Sequence, residues 1–158
     1  MKHFLVISLL VILGCQRSNE SEDSSNLLSS LRPEEELRET VSKIWEDAAN
    51  GDTVALKRAH LNSPKFSKFG PRVALRQDVE STNRTESEHF SSVVDASFSI
   101  EELKVDLFGE VAVTTFYNNY SFTKNNSKIE GKGRVTLIFL QTEDGWKIIH
   151  EHSSPFIE

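Results

Sequence analysis

GRVTLIFLQTEDGWKIIHEHSSPF, residues 133–156, reads as two long strands joined by a tight turn at Glu143, Asp144 and Gly145. Arg134, His150, Glu151 and His152 all fall in this stretch, which makes it both the end of a sheet and the wall of a candidate pocket. Alternate residues of a strand point to opposite faces. Trp146, Ile148, His150 and His152 are therefore expected on one face, and Lys147, Ile149, Glu151 and Ser153 on the other.

Moving outward, Leu103, Val105 and Leu107 alternate with Lys104 and Asp106, Phe108-Gly109-Glu110 forms a turn, and a long strand is predicted over 111–122. The polar loop 124–128 suits a hairpin tip, so the carboxyl half is predicted to be a four-strand antiparallel meander. Gly131 and Gly133 fall where a strand of a curved sheet must bend. Upstream the period is helical. Pro33 and Glu34-Glu35-Glu36 suit a helix start, and Leu37, Val41, Ile44, Trp45 and Ala48 share one stripe. Gly51 fits a left-handed cap and Asp52 the N-cap of a short second helix. A short strand over 65–69 and a third helix over 78–94 complete the series. Helices first and a meander afterwards predict an α+β fold, with the helices on one face of the sheet.

At 158 residues the chain has room for one domain and a tail, and ten Phe supply core mass. The net charge of −6, with Lys and Arg scattered, excludes a nucleic-acid partner. One cysteine, Cys15, permits no internal disulfide. Before it, a basic start and an apolar run over 4–13 are too short to span a bilayer, as in a signal-peptide core. Ile12-Leu13-Gly14-Cys15 resembles a bacterial lipobox, which implies cleavage before Cys15 and acylation of that residue. The expected organisation is a signal peptide over 1–14, lipidated Cys15 with a Ser-, Asn- and acid-rich tether to residue 30, and a domain over 31–158. Gln16 rather than Asp after the cysteine directs such a protein to the outer membrane, facing the periplasm, in a Gram-negative cell envelope.

Ala49-Asn50-Gly51-Asp52, Phe108-Gly109-Glu110-Val111-Ala112-Val113, Gly133-Arg134-Val135-Thr136 and GWKIIHEHSS from Gly145 occur in that order and spacing. Together they resemble the SnoaL-like, nuclear-transport-factor-2-like superfamily, near the association domain of calcium/calmodulin-dependent protein kinase II. The resemblance implies a cone-shaped fold, N-terminal helices packed on a curved antiparallel sheet around a concave pocket, with the convex side forming a homodimer. Arginines lining the pocket of the kinase association domains match Asn119, Arg134 and Ser153 here, and only Arg134 is kept. Tyr117 shares the face of Asn119. The resemblance thus gives a ligand-binding set of Tyr117, Asn119, Arg134, Glu151 and Ser153, holding a small apolar or carboxylate ligand and needing no cofactor.

The chemistry of these residues is limited. Arg134 beside Glu151 would keep the carboxylate charged and make it a weak base, so an ion pair bracing two strands is the favoured arrangement. Arg134→Ala is then expected to harm the fold more than any activity. Catalytic candidates are Glu151 as a base and Tyr117 as a donor to an enolate; Asp106 is predicted to face solvent and supplies no second acid. His150 and His152 could present two imidazoles to one metal, but zinc needs three or four ligands, and nothing in the sequence brings His60 or His89 to them. Trp45, Phe66, Phe69 and Phe90 are expected in the core. A binding or assembly module is the leading function, with a SnoaL-like acid–base enzyme of isomerase, cyclase or hydrolase type as its alternative.

Overall fold

The computed structural model describes residues 20–71 and 73–156, with side chains from residue 32 onward. The expected signal peptide over 1–14, Cys15 and residues 16–19 lie outside the described residues. Helix α1 spans Glu20–Ala49 and runs through Pro33 rather than starting there. Most of the segment expected as a tether is therefore helical. A proline inside a helix forfeits a hydrogen bond at a cost of about 3 kcal/mol, so Pro33 separates two parts of one helix. Downstream of it, Leu37 and Val41 are both fully inaccessible. Arg38 ties this part to the sheet by donating to the Leu103 carbonyl at 3.1 Å.

Gly51, at φ +68°, ends α1 in the left-handed region that a glycine enters freely. Asp52 then caps α2, Thr53–Ala59, by accepting from the Ala55 amide at 2.9 Å. After β1, Ser67–Phe69, comes α3, Val79–Phe90, opened by a reciprocal capping box between Asp78 and Ser81. The remaining strands are β2, Val94–Phe108; β3, Val111–Lys124; β4, Ser127–Thr142; and β5, Gly145–Pro155. They form the expected antiparallel meander. β1 adds a fifth strand parallel to β5, giving the order β1-β5-β4-β3-β2. Third helix and second strand meet earlier than the sequence predicts: α3 stops at Phe90, and residues 94–102 belong to β2. Register shifts at Val94/Ser97 and Glu101/Lys104 break the alternation there, which hid the strand.

One irregularity positions everything that follows. Ile138 pairs with His150 and Phe139 with Ile148, so Ile149 is an extra residue bulged out of β5. A bulge advances the strand by one residue and exchanges its faces. Trp146 and Ile148 are consequently buried on the inner face, and so is Glu151 beyond the bulge, while His150 and His152 lie outside. The simple parity that grouped Trp146 and Ile148 with the histidines is corrected by this one residue. The core gathers Leu37 and Val41 of α1 against Phe116, Val135, Leu137, Phe139 and Ile148 of the sheet.

Candidate functional site

Beneath the helices, the inner face of the sheet lines a cavity of about 600 Å³. Its wall is largely apolar and aromatic, with Trp45, Phe90, Phe98 and Phe122 among its residues. Trp45 packs edge-on against Phe116, ring centres 4.9 Å apart. Of the four aromatics expected in the core, Phe66 is there at 3 % exposure, Trp45 and Phe90 line the cavity, and Phe69 lies 45 % exposed on the outer face. Phe69 contacts His150 and His152 there.

The polar end of the cavity is assembled from four elements. Parallel pairing sets Lys68 of β1 beside Glu151 of β5. Helix α3 adds Glu86 and Asn83, and the residue capping α2 is His60. The Lys68 ammonium lies 2.6 Å from Glu86 Oε1 and 2.7 Å from Glu151 Oε1. His60 sits beside them, its Nε2 3.9 Å from both Glu86 Oε1 and Glu151 Oε2, and its Nδ1 3.0 Å from Asn83 Oδ1. An Nδ1–H donated to Asn83 leaves Nε2 facing two carboxylates, which invites a second proton.

The electrostatics follow from burial set against pairing. Burial alone would push the Glu151 carboxyl up, but the Lys68 charge, then the hydrogen bond and charge of His60, hold it well below the usual carboxylate range. Burial would likewise release the Lys68 proton, and the charges of Glu151 and Glu86 overcome it and keep Lys68 an ammonium. For His60, burial opposes protonation; the Glu151 hydrogen bond, the charges of Glu86 and Glu151, and Asn83 outweigh it and raise the imidazole above its ordinary 6.5. Glu151 is thus a poor base and Lys68 no nucleophile. His60 is the group suited to give up a proton.

The sequence-predicted set divides between the two faces. Glu151 and Ser153 line the cavity. Tyr117, Asn119 and Arg134 are on the outer face, a correction explained by register: Arg134 pairs with Tyr117 and with Ser154, so it shares the face of Ser154 and not of Ser153. The expected Arg134–Glu151 pair is replaced by Lys68–Glu151. Arg134, exposed, stacks over Phe156 at 5.0 Å; Tyr117 also meets Phe156; and Asn119 donates to Glu101 at 2.7 Å. The residues facing inward from β3 are instead Phe116, Asn118, Tyr120 and Phe122.

His150 accepts or donates at Ser67 Oγ, 2.9 Å away, on the face opposite Glu151. Among the described residues, the only group of three metal-ligand types is His60, Glu86 and Glu151, with ligand atoms all within 4.8 Å of one another. That grouping brings His60 to Glu151 on the inner face, and it includes neither His150 nor His152. Two of its carboxylates already meet a cation, the tethered ammonium of Lys68. Glu86 had a signal in the sequence, since it falls on the same helical stripe as Phe90. Lys68 had none, because only the pairing of β1 with β5 reveals which way it points.

A family model described as a SnoaL-like domain matches residues 37–158. A comparison with curated proteins finds no match. Among solved structures, a nuclear transport factor 2 (NTF2-like) superfamily protein from Salmonella enterica serovar Typhimurium superposes with a TM-score of 0.74 at 16% identity, covering 82% of this chain and 94% of that one. An NTF2-like protein with a cystatin-like fold from Novosphingobium aromaticivorans gives 0.67 at 14% identity, covering 89% and 92%. The CaMKII hub of S. rosetta gives 0.67 at 19% identity, covering 78% and 97%.

Proposed function

Because the chain belongs to the SnoaL-like domain family, whose α+β, NTF2-like fold it adopts, we propose that it is a lipid-anchored, dimeric module that holds a small, partly apolar molecule in its concave cavity. The observation that carries the reading is the cavity itself, about 600 Å³ with an aromatic wall and a charged end closed by Lys68, Glu86, Glu151 and His60. Pockets of this size and character, mostly apolar with a few convergent polar groups, are the usual form of small-molecule sites. The pairing of Glu151 argues for binding over catalysis, since a carboxylate stabilised in its charged form is a weak base. The anchor rests on the lipobox-like Ile12-Leu13-Gly14-Cys15, which also supports a place in the cell envelope. Dimerisation through the outer sheet face is supported by the likeness to a hub domain and by the ring cluster of Tyr117 and Phe156 on that face.

Native mass spectrometry of the full chain, released from detergent, tests each part. Twice the chain mass with an acyl increment and a retained small molecule is the expected result. A bare monomer with no adduct, whose melting no small-molecule panel shifts, would sink the binding reading. The alternative, an acid–base enzyme acting on a small hydrophobic substrate, is favoured by one observation: His60 lines the cavity with its Nε2 3.9 Å from both Glu86 Oε1 and Glu151 Oε2, whose charges favour its protonated form. Turnover of a substrate that is lost in His60→Asn, with binding retained, would select it.

A further inference from the structure

The charged end of the cavity has an excess of acceptors. Lys68 brings three N–H donors, and two of them are engaged by Glu86 Oε1 and Glu151 Oε1. Two carboxylates offer about eight lone-pair sites between them, far more than the ammonium and His60 can fill. The formal charge of Lys68, Glu86 and Glu151 together is one negative unit, and a protonated His60 brings it only to zero. No positive charge at this end is left over for an anion. A second acceptor waits on the wall: Asn118 Oδ1 is buried with no hydrogen-bond partner among the described residues, and Asn118 lines the same cavity. Its neighbour on β4 is Gly133, so no side chain stands beside it on that strand, while Ile100 flanks it on β2. Of the other lysines along the lining, Lys132 is held on the outer face by Glu101 at 2.6 Å, and Lys124, at the end of β3 away from this site, is balanced in formal charge by Glu88 of the same lining.

We infer that the cavity selects an apolar or aromatic molecule carrying a hydrogen-bond donor, an amine or a hydroxyl, and rejects the matched carboxylate. The inference rests on the binding reading above and narrows its ligand class. It removes the carboxylate ligand that the outward-facing Arg134 had suggested. An amine would complete the acceptor set with charge, and a hydroxyl would do so without it. A carboxylate would bring a third negative charge beside two buried carboxylates, an unfavourable like-charge juxtaposition.

The test uses the full chain in detergent and three probes that share one skeleton: phenylbutylamine, phenylbutanol and phenylbutanoate. Binding is read from tryptophan fluorescence, to which Trp45 in the wall contributes, and from the shift in melting temperature. Amine and alcohol are expected to bind, and the carboxylate at least about tenfold more weakly. Glu86→Gln should narrow the amine's advantage over the alcohol by a similar factor. Gly133→Leu, which fills the wall, should abolish the response to all three. A Cβ at residue 133 comes within 3.3 Å of the Ser154 carbonyl, so Ser153→Leu serves as a second filling variant should the first fail to fold. Carboxylate binding that equals or exceeds the amine's and vanishes on filling would overturn the ligand class while leaving the binding reading intact. No response to any probe, or responses that survive both fillings, would overturn the two together.

Discussion

Two carboxylates on opposite faces of one sheet make contacts that distance alone does not tell apart. On the inner face Glu151 meets Lys68 at 2.7 Å; on the outer face Glu101 meets Lys132 at 2.6 Å. Each is held below its ordinary range, Glu101 by the hydrogen bond of Lys132, then that of Asn119, then the Lys132 charge. What separates them is water. The inner side chains are 12 % exposed each, and the outer ones 49 % and 34 %. Solvent and salt screen the outer pair, whereas removing one partner of a buried pair strands a charge. Burial, not geometry, decides which of these contacts matters to the fold.

The largest effect is therefore expected at Lys68. Lys68→Met leaves Glu86 and Glu151 with only the His60 imidazole, 3.9 Å from each, to offset their charge, and should lower the unfolding free energy by about 3–5 kcal/mol, measured by urea titration. Replacing Glu86 and Glu151 with Leu in the same chain should recover much of that loss. A cost below about 1 kcal/mol for Lys68→Met would mean that the cavity end is as well solvated as the outer face, and the contrast would fail.

His60 sharpens the same comparison through pH. Its folded pKa is raised, so its contribution to stability is complete below the ordinary 6.5 and is lost as pH rises through the folded value. Stability should fall as pH climbs above 6.5, by roughly 1.4 kcal/mol for each unit separating folded and unfolded values. His60→Asn should flatten that fall. Glu151 acts at the other end, since its folded pKa is depressed. Its contribution is present above the ordinary 4.5 and is lost as pH drops toward the folded value. Glu151→Gln should lessen the loss of stability in acid. A wild-type curve without a decline above pH 6.5 would remove the charged imidazole from the site.

A smaller effect is expected at Asp78. Its carboxylate accepts from the Ser81 amide at 2.8 Å and caps the helix that carries Asn83 and Glu86. Asp78→Ala should lower the melting temperature by a few degrees and leave the decline above pH 6.5 in shape. Loss of that decline in this variant would show that the cap also positions Glu86.

The architecture was legible because periodicity and caps are local. Leu37, Val41, Gly51, Asp52 and the alternation of 103–107 each announce an element without reference to the rest of the chain. The helix corner and the meander follow from them. The site was only half legible. Glu151 and Ser153 were placed in the pocket, but by a parity that held on their side of Ile149 and failed across it. A bulge depends on the partner strand's register, which no local window contains. The same limit hid Lys68: its strand is three residues long, with aromatic residues at both parities, Phe66 and Phe69. Asn119 and Tyr117 were correctly grouped with Arg134, since β3 and β4 pair without interruption from Val111 to Lys124. The family resemblance assigns that trio to the inner face with Glu151, whereas the register turns it outward.

Arg134 gives the smallest expected effect and the strictest check on the comparison. Its guanidinium lies over Phe156 at 5.0 Å in an exposed position and braces no buried carboxylate. The sequence alone had made Arg134→Ala a damaging substitution. The register makes it mild, within about 0.5 kcal/mol, as for most surface changes. Cavity binding of the phenylbutylamine probe should also be unchanged, because the side chain and the cavity lie on opposite faces. Urea unfolding and probe titration of this one variant therefore examine the outward placement from two sides. A loss comparable to that of Lys68→Met would put Arg134 back among the inner charges and reverse the assignment of faces on β4, with Gly133 and Val135 then turned outward.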